Sequence, residues 1–257
     1  MLGAIAGDII GSIYEAAPIK TKDFPLFGRG VRFTDDTVCT VAIADALLSG
    51  GDFAQSLRAY VRRYPGRGYG GMFARWAHTP GMPAYGSWGN GAAMRVSSIA
   101  WLACDEADAL ATASRTAAVS HDHPDAIAGA QATVLAAWLA RHGAAPELIR
   151  RKIAERFGYD LSRSIEQIRS WYAFDISCKG TVPPALVCAL EATGYEDAIR
   201  NAVSLGGDTD TLACITGGIA EALYDVPPTI GAEARIHLDD GLWAVIDRFY
   251  KTIDRRA

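Results

Sequence analysis

The chain has 257 residues, of which 50% are hydrophobic and 21% are charged, and its net charge is −4. This composition predicts a globular protein with a sizeable core, and the weak negative charge argues against general nucleic-acid binding. No stretch approaches the ~20 consecutive apolar residues that a membrane-spanning helix needs. The five cysteines are scattered and form no CxxC pair, which predicts reduced thiols and no zinc site. We therefore expect a cytoplasmic monomer with no membrane partner.

The first segment of the chain is apolar and carries Gly3, Gly7 and Gly11 at intervals of four residues. This spacing predicts a helix whose glycines let a second backbone approach closely. Asp8 interrupts the apolar run, and no basic residues precede it, so the segment does not fit a signal peptide. Asp8 is either a buried acid beside a functional site or a structural polar residue. Glu15 falls where this helix ends, a position at which a lone glutamate is normally solvated.

Helical periodicity continues along the chain. It predicts helices over residues 36–49, 103–119, 125–141 and 146–156, and another that begins at Asp210 and ends before Asp225. Residues 182–187 have the composition of a short strand, but Pro183-Pro184 argues against one. The longest stretch predicted to lack helix, residues 64–90, is rich in glycine, proline and aromatic residues, and such long loops are usually functional. The sequence predicts an all-α fold, a compact orthogonal helix bundle forming one domain over residues 1–257.

Two acidic clusters stand out, Thr34-Asp35-Asp36-Thr37 and Asp208-Thr209-Asp210-Thr211, each at the start of a predicted helix. Asp and Thr commonly cap helices and interact with the helix dipole, but a cap needs only one acid. Together the clusters offer an all-oxygen ligand set, which suits Mg²⁺, Mn²⁺ or Ca²⁺ better than zinc. If the two helix starts meet, their carboxylates repel one another unless cations lie between them. The pattern therefore predicts a hydrolase with a binuclear metal cleft at the centre of the bundle.

A glycine-rich segment follows the long loop. Gly86, Gly89 and Gly91 surround Ser87 and Asn90 just before a predicted helix start. Such a segment can expose consecutive backbone N–H groups to phosphate or ribose oxygens. On chemistry alone, a glycine-rich turn that caps a helix explains the pattern equally well.

A second polar motif, Ser120-His121-Asp122-His123, precedes Pro124. Its His-Asp pair is also found in the HD phosphohydrolases, which are all-α and often binuclear. That interpretation requires a further histidine ligand upstream. His78, the one histidine upstream of the motif, lies in a predicted loop and is a poor candidate.

The sequence resembles the ADP-ribosylglycohydrolase family, because several segments occur in the order that the family shows. These segments are Gly3–Asp8 with Gly11-Ser12 and Tyr14-Glu15, Phe33–Thr37, Gly86–Gly91 with Met94-Arg95, Ser120-His121, Thr181–Pro183 and Leu205–Thr211. Each is weak alone, but the ordered set is specific. The resemblance implies an all-α fold and two Mg²⁺ ions, with Mn²⁺ as a possible substitute.

The resemblance also implies roles for individual residues. The implied metal ligands are Thr34, Asp35, Asp36, Asp208, Asp210 and Thr211, with Asp208 or Asp210 bridging the ions. The implied catalytic residues are Glu15, Asp36 and Asp210. The implied substrate contacts are Gly86, Ser87, Trp88 and His121, the last near the ribose-phosphate region.

The implied reaction cleaves the glycosidic bond at C1″ of ADP-ribose through an oxocarbenium-like transition state. Metal ions would orient a water and lower its pKa, and Asp36 or Glu15 would accept its proton. The expected partner is an ADP-ribosylated protein, modified on arginine or serine, or a small-molecule conjugate of ADP-ribose. Two alternatives remain: a catalytically silent ADP-ribose-binding protein and an HD-type phosphohydrolase.

Overall fold

A computed structural model of the chain describes residues 1–255, and all its regular elements are helices apart from one bridge. The helices are α1 (Leu2–Gly11), α2 (Asp35–Ser49), α3 (Phe53–Arg63), α4 (Gly71–His78), α5 (Gly91–Met94), α6 (Ile99–Leu102), α7 (Glu106–Ala118), α8 (Pro124–Arg141), α9 (Pro146–Phe157), α10 (Ile165–Trp171), α11 (Cys178–Leu190), α12 (Tyr195–Ser204), α13 (Thr209–Tyr224), α14 (Pro228–Ile236) and α15 (Asp240–Asp254). Over residues 1–255 the only β-structure is an antiparallel bridge between Gly89 and Ser177. The predicted all-α helix bundle is confirmed. Within the same range, no helix has both the length and the apolarity to cross a lipid bilayer.

Helices α1 and α13 form the centre of the bundle, and their backbones touch. A Cβ atom added to Gly7 would lie 2.0 Å from the carbonyl oxygen of Ala213, and one added to Gly11 would lie 2.4 Å from that of Thr209. Nearly every residue of both helices is buried. The close approach predicted from the glycine spacing is therefore confirmed, and it fixes the start of α13 against the end of α1.

Replacing Gly7 with alanine is expected to lower the free energy of unfolding by about 3 kcal/mol, because the new methyl group would force two buried backbones apart. Gly71→Ala is a matched control, since a Cβ at that position meets no atom within 4 Å. Urea unfolding followed by circular dichroism measures both variants. Equal stability of the two variants would contradict the packing argument.

The helices predicted from local signals begin and end where those signals lie. Thr34 caps α2 by accepting a hydrogen bond from the Asp36 amide, and Gly50 ends it in the left-handed region at φ 65°. Helices α8 and α9 begin with proline at their first position, where the missing N–H costs nothing. The helix predicted over 103–119 starts late, at Glu106, because Asp105 caps it.

Residues 64–90 do not form one continuous loop, since they contain α4. This helix buries Phe73, Trp76 and Ala77. Arg58 of α3 anchors the segment that follows by donating to the carbonyl oxygens of Trp76, Thr79 and Met82. The expectation of a fully non-helical stretch was wrong because tertiary packing stabilises a short helix between glycine-rich and proline-rich flanks.

Residues 182–187, for which a strand was already doubtful, lie inside α11, together with Pro183 and Pro184. A proline has no N–H to donate to the carbonyl four residues before it. The Gly180 carbonyl therefore receives no helical hydrogen bond from Pro184. The hydroxyl of Tyr172 donates to that carbonyl at 3.3 Å. Burial of Val182, Pro184 and the residues that follow then stabilises the helix.

Candidate active site

The two acidic clusters meet at the N-terminal ends of α2 and α13. The hydroxyl of Thr34 lies 3.3 Å from Oδ2 of Asp36, within the first cluster. The hydroxyl of Thr211, in the second cluster, donates to the same Asp36 oxygen at 3.3 Å. Asp36 therefore connects two chain segments 175 residues apart, and the two helix dipoles direct their positive ends towards the carboxylates.

Two groups of three carboxylates lie where the ends of α2 and α13 meet. Within each group, one oxygen of each carboxylate lies within 4.8 Å of the others. Asp8, Asp36 and Asp210 form the first, which is buried. Glu15, Asp208 and Asp210 form the second, in which Glu15 is exposed. Asp210 belongs to both groups. We refer to the five residues together as the acidic cleft.

Asp35 belongs to neither group of three, although it lies beside them. Its side chain is only partly buried, and its backbone N–H donates to the carbonyl of Arg67 at 2.8 Å. The carboxylates of Asp8, Asp208 and Glu15 are close enough to raise its pKa. Asp35 therefore faces the acidic cleft from its rim.

Asp8 orients the start of α2. Its carboxylate accepts hydrogen bonds from the backbone N–H groups of Thr34 and Thr37, at 2.9 and 3.1 Å, and from both threonine hydroxyls. Asp8 is buried and lies beside Asp36 and Asp210, as the first of the two possibilities that the sequence left open requires. The signal was an aspartate within an otherwise apolar helix, because a buried carboxylate needs partners.

Without cations, the acidic cleft favours protonated carboxyl groups. Burial, followed by the charge on Asp8, raises the pKa of Asp35 to about 8. Burial also raises the pKa of Asp36 and Asp210 well above the ordinary range, and the neighbouring aspartates add to it. Partial burial and the charge on Asp208 raise the pKa of Glu15. Oδ1 of Asp36 is buried and has no hydrogen-bond partner, so this oxygen can coordinate a cation.

Asn90 holds Asp208 in place through its side-chain amide. Its Nδ2 donates to Oδ2 of Asp208 at 2.7 Å and to the hydroxyl of Thr181 at 3.1 Å. Gly207 turns the chain into α13 at φ 78°, and a Cβ there would lie 2.9 Å from the carbonyl oxygen of Ala173. Sequence reasoning gave Asn90 no role of its own, because the contact depends on long-range folding.

The glycine-rich segment lies beside the acidic cleft, but its amides are not all free. The Gly86 N–H donates to Oδ1 of Asp122 at 2.6 Å, and the Gly89 N–H donates to the hydroxyl of Ser87 at 3.2 Å. The expected row of free N–H groups is therefore interrupted, because side chains have folded onto it. The ring of Trp88 remains 47% exposed, and α5 begins directly after the segment.

His121 is buried against this segment. Its Nδ1 lies 2.8 Å from the hydroxyl of Ser120, and a Cβ added to Gly91 would lie 3.1 Å from its Nε2. Burial, and then the charge on Arg95, lowers the pKa of His121 well below its usual value. Among residues 1–255, His121 belongs to no group with metal-ligand spacing.

Comparison with known proteins identifies relatives of this chain. The ADP-ribosylglycohydrolase family model matches residues 1–256. ADP-ribosylhydrolase ARH3 of Danio rerio is 28% identical over 302 residues, covering 88% of this chain and 82% of the relative. The Homo sapiens ARH3 is 26% identical, covering 87% and 84%.

A solved structure described as an ADP-ribosylglycohydrolase-related protein complex superposes with a TM-score of 0.68 at 25% identity, covering 92% of this chain and 97% of that one. The sequence and structural comparisons thus agree over nearly the whole chain. The chain belongs to the ADP-ribosylglycohydrolase family and is a glycosyl hydrolase.

Proposed function

We propose that this chain is a Mg²⁺-dependent hydrolase that cleaves the glycosidic bond at C1″ of ADP-ribose. It would release ADP-ribose from a modified arginine or serine side chain or from a small-molecule conjugate. Family membership supports the ADP-ribosyl group as the recognised half of the substrate. The observation that carries the metal dependence is the pair of carboxylate groups that share Asp210.

The side chains in and beside the acidic cleft fit divalent ions. Six oxygen-bearing side chains would hold two Mg²⁺, or Mn²⁺ in their place: Thr34, Asp35, Asp36, Asp208, Asp210 and Thr211. Hard cations prefer such ligands, and the unpartnered Oδ1 of Asp36 leaves a lone pair for one of them. Asp210 is the better candidate for a bridging ligand, because it belongs to both groups whereas Asp208 belongs to one. Asp8 already accepts four hydrogen bonds, so we assign it to orienting Thr34.

When bound, the ions would orient ribose hydroxyls and a water and lower the pKa of that water. Glu15 is the favoured proton acceptor, because its carboxyl lies at the exposed side of the acidic cleft, within 4.8 Å of Asp208 and Asp210 oxygens. Its raised pKa brings proton exchange closer to neutral pH. Asp36 is buried between two threonine hydroxyls and suits a ligand better than a proton carrier.

The glycine-rich segment and His121 would hold the rest of ADP-ribose. The half-exposed ring of Trp88 can pack against an aromatic base or a sugar. The Gly86 N–H donates to the exposed side chain of Asp122, and a substrate oxygen could take the place of that acceptor. Ser87 offers a hydroxyl. Neither group of potential metal ligands among residues 1–255 contains His121 or another histidine, so the histidine ligation that an HD-type phosphohydrolase needs has no counterpart there.

A substrate panel tests the proposal. With Mg²⁺, the protein is expected to release free ADP-ribose from at least one of three conjugates, linked through arginine, serine or a nucleotide. Excess EDTA is expected to abolish release. Isothermal titration with ADP-ribose is run in parallel. A protein that binds ADP-ribose but releases none of it from the conjugates is a silent binder. Release that EDTA leaves unchanged would contradict the metal dependence.

A further inference from the structure

We propose that Arg95 and Ser120 are positioning residues that hold His121 with its proton on Nε2, so that the ring donates one hydrogen bond to an oxygen of ADP-ribose. This inference rests on the proposed function, because it takes the pocket beside the acidic cleft as the ADP-ribose pocket. It adds residues, a tautomer and a direction of hydrogen bonding to that pocket.

Arg95 fixes the direction of the hydrogen bonds that reach His121. It is fully buried at the end of α5. Its Nη2 donates to the carbonyl of Thr116 at 2.7 Å and to the hydroxyl oxygen of Ser120 at 3.1 Å. A guanidinium group has only donors. The Ser120 oxygen must therefore accept from Arg95, and its own proton must point elsewhere.

The acceptor available to that proton is Nδ1 of His121, 2.8 Å from the Ser120 oxygen. In the alternative arrangement, His121 Nδ1 carries the proton and donates to Ser120. The serine oxygen would then accept twice, and its proton would be left without an acceptor at a fully buried position, which is costly. The favoured arrangement places the imidazole proton on Nε2 of His121.

The Nε2 atom of His121 points towards the glycine-rich segment. It lies 3.6 Å from where a Cβ of Gly89 would be and 3.1 Å from that of Gly91. The absence of side chains at these two positions gives the N–H group access to the pocket proposed for ADP-ribose. A phosphate or ribose oxygen entering there would accept the proton that Nε2 presents.

The other groups that face His121 keep the ring neutral. Phe73 and Tyr85 contact it with ring centroids 5.8 Å away, and burial keeps the Tyr85 hydroxyl protonated by raising its pKa. Arg95 is the charged group that acts on the ring, and its cation opposes a second positive charge. Asp122, the next residue, is exposed and bonded to Gly86. A neutral ring has one N–H donor, so its tautomer decides what it can bind.

Nuclear magnetic resonance of ¹⁵N-histidine in the full-length protein with Mg²⁺ tests the tautomer directly. His121→Gln identifies the His121 signals among the five histidines. We expect an unprotonated Nδ1 and a protonated Nε2 at both pH 8 and pH 6, although a histidine with the ordinary pKa of about 6.5 is mostly charged at pH 6. A proton on Nδ1, or a charged ring at pH 6, would overturn the proposal.

Ser120→Ala tests the positioning role, and Arg95 keeps its bond to Thr116 in that variant. We expect mixed His121 tautomers, an ADP-ribose Kd that rises about tenfold, and a KM that changes more than kcat. Ser120→Thr should restore one tautomer and the affinity. Ser98→Ala is the control, because Ser98 is a buried serine whose hydroxyl has no partner. An unchanged Kd in Ser120→Ala would refute the role, whereas a wild-type protein that does not bind ADP-ribose would refute the proposed function itself.

Discussion

Replacing Asp36 with asparagine is expected to lower the kcat of ADP-ribose release on the order of 10³-fold. Asparagine has nearly the same shape and can still meet the hydroxyls of Thr34 and Thr211. It removes the negative charge, however, and can place an NH₂ group where a cation would lie. Activity should therefore fall while circular dichroism and the unfolding midpoint show a folded protein.

Asp210→Asn is expected to be at least as damaging, because Asp210 contributes to both carboxylate groups. Turnover measured against Mg²⁺ concentration distinguishes weaker metal binding from loss of chemistry. Excess Mg²⁺ restores turnover only if the variant is impaired in metal binding. Asp247→Asn is the matched control, since Asp247 forms a surface ion pair with Lys251. Full activity of Asp36→Asn and Asp210→Asn in Mg²⁺ would contradict the proposed metal site.

The second large effect is a loss of stability with rising pH in the metal-free protein. Burial raises the folded-state pKa of Asp35 to about 8 and raises those of Asp36 and Asp210 well above the ordinary range, whereas aspartates in the unfolded chain ionise near pH 4. Between about pH 4 and pH 8 these carboxyls thus hold more protons in the folded protein than in the unfolded chain. The contribution of these carboxyls to the free energy of unfolding therefore falls as the pH rises through this window, by up to about 1.4 kcal/mol per pH unit for each carboxyl.

Magnesium should cancel this loss, because a cation that binds only the folded state stabilises it and replaces the protons. Urea unfolding at pH 5, 6.5 and 8, in EDTA and in saturating Mg²⁺, measures the effect. The two conditions should differ most at pH 8. The double variant Asp36→Asn/Asp210→Asn should show a shallower pH dependence and little response to Mg²⁺. A double variant with the same pH dependence as the wild type in EDTA would contradict the assigned pKa directions.

The two acidic clusters could be predicted from the sequence because each is contiguous and begins a helix with strong local signals. Their meeting could only be stated as a condition, since it depends on how α2 and α13 pack. Asp8 could be noticed but not assigned, and the roles of Asn90 and Arg95 could not be inferred. These residues act through hydrogen bonds to distant parts of the chain, and the sequence carries no local pattern for such bonds.

The same distinction between local signals and long-range contacts explains which helices could be predicted. Helices α2, α8 and α9 were predicted to within one residue because capping residues, a terminal glycine or a first-position proline mark their ends. Helices α4 and α11 were missed because their sequences contain or adjoin strong helix breakers. Their stability comes from buried side chains and from hydrogen bonds such as that between Tyr172 and Gly180, which tertiary structure alone supplies.

The contact between α1 and α13 joins parts of the chain that lie far apart in the sequence. The hydroxyl of Thr209 donates to the carbonyl of Gly11 across 198 residues. Contacts between residues so far apart in the sequence slow folding, and apolar surface that has not yet docked favours aggregation. Because Asp8 lies on α1 and Asp208 and Asp210 lie at the start of α13, the acidic cleft is complete only when both helices have docked, so metal binding would report that docking.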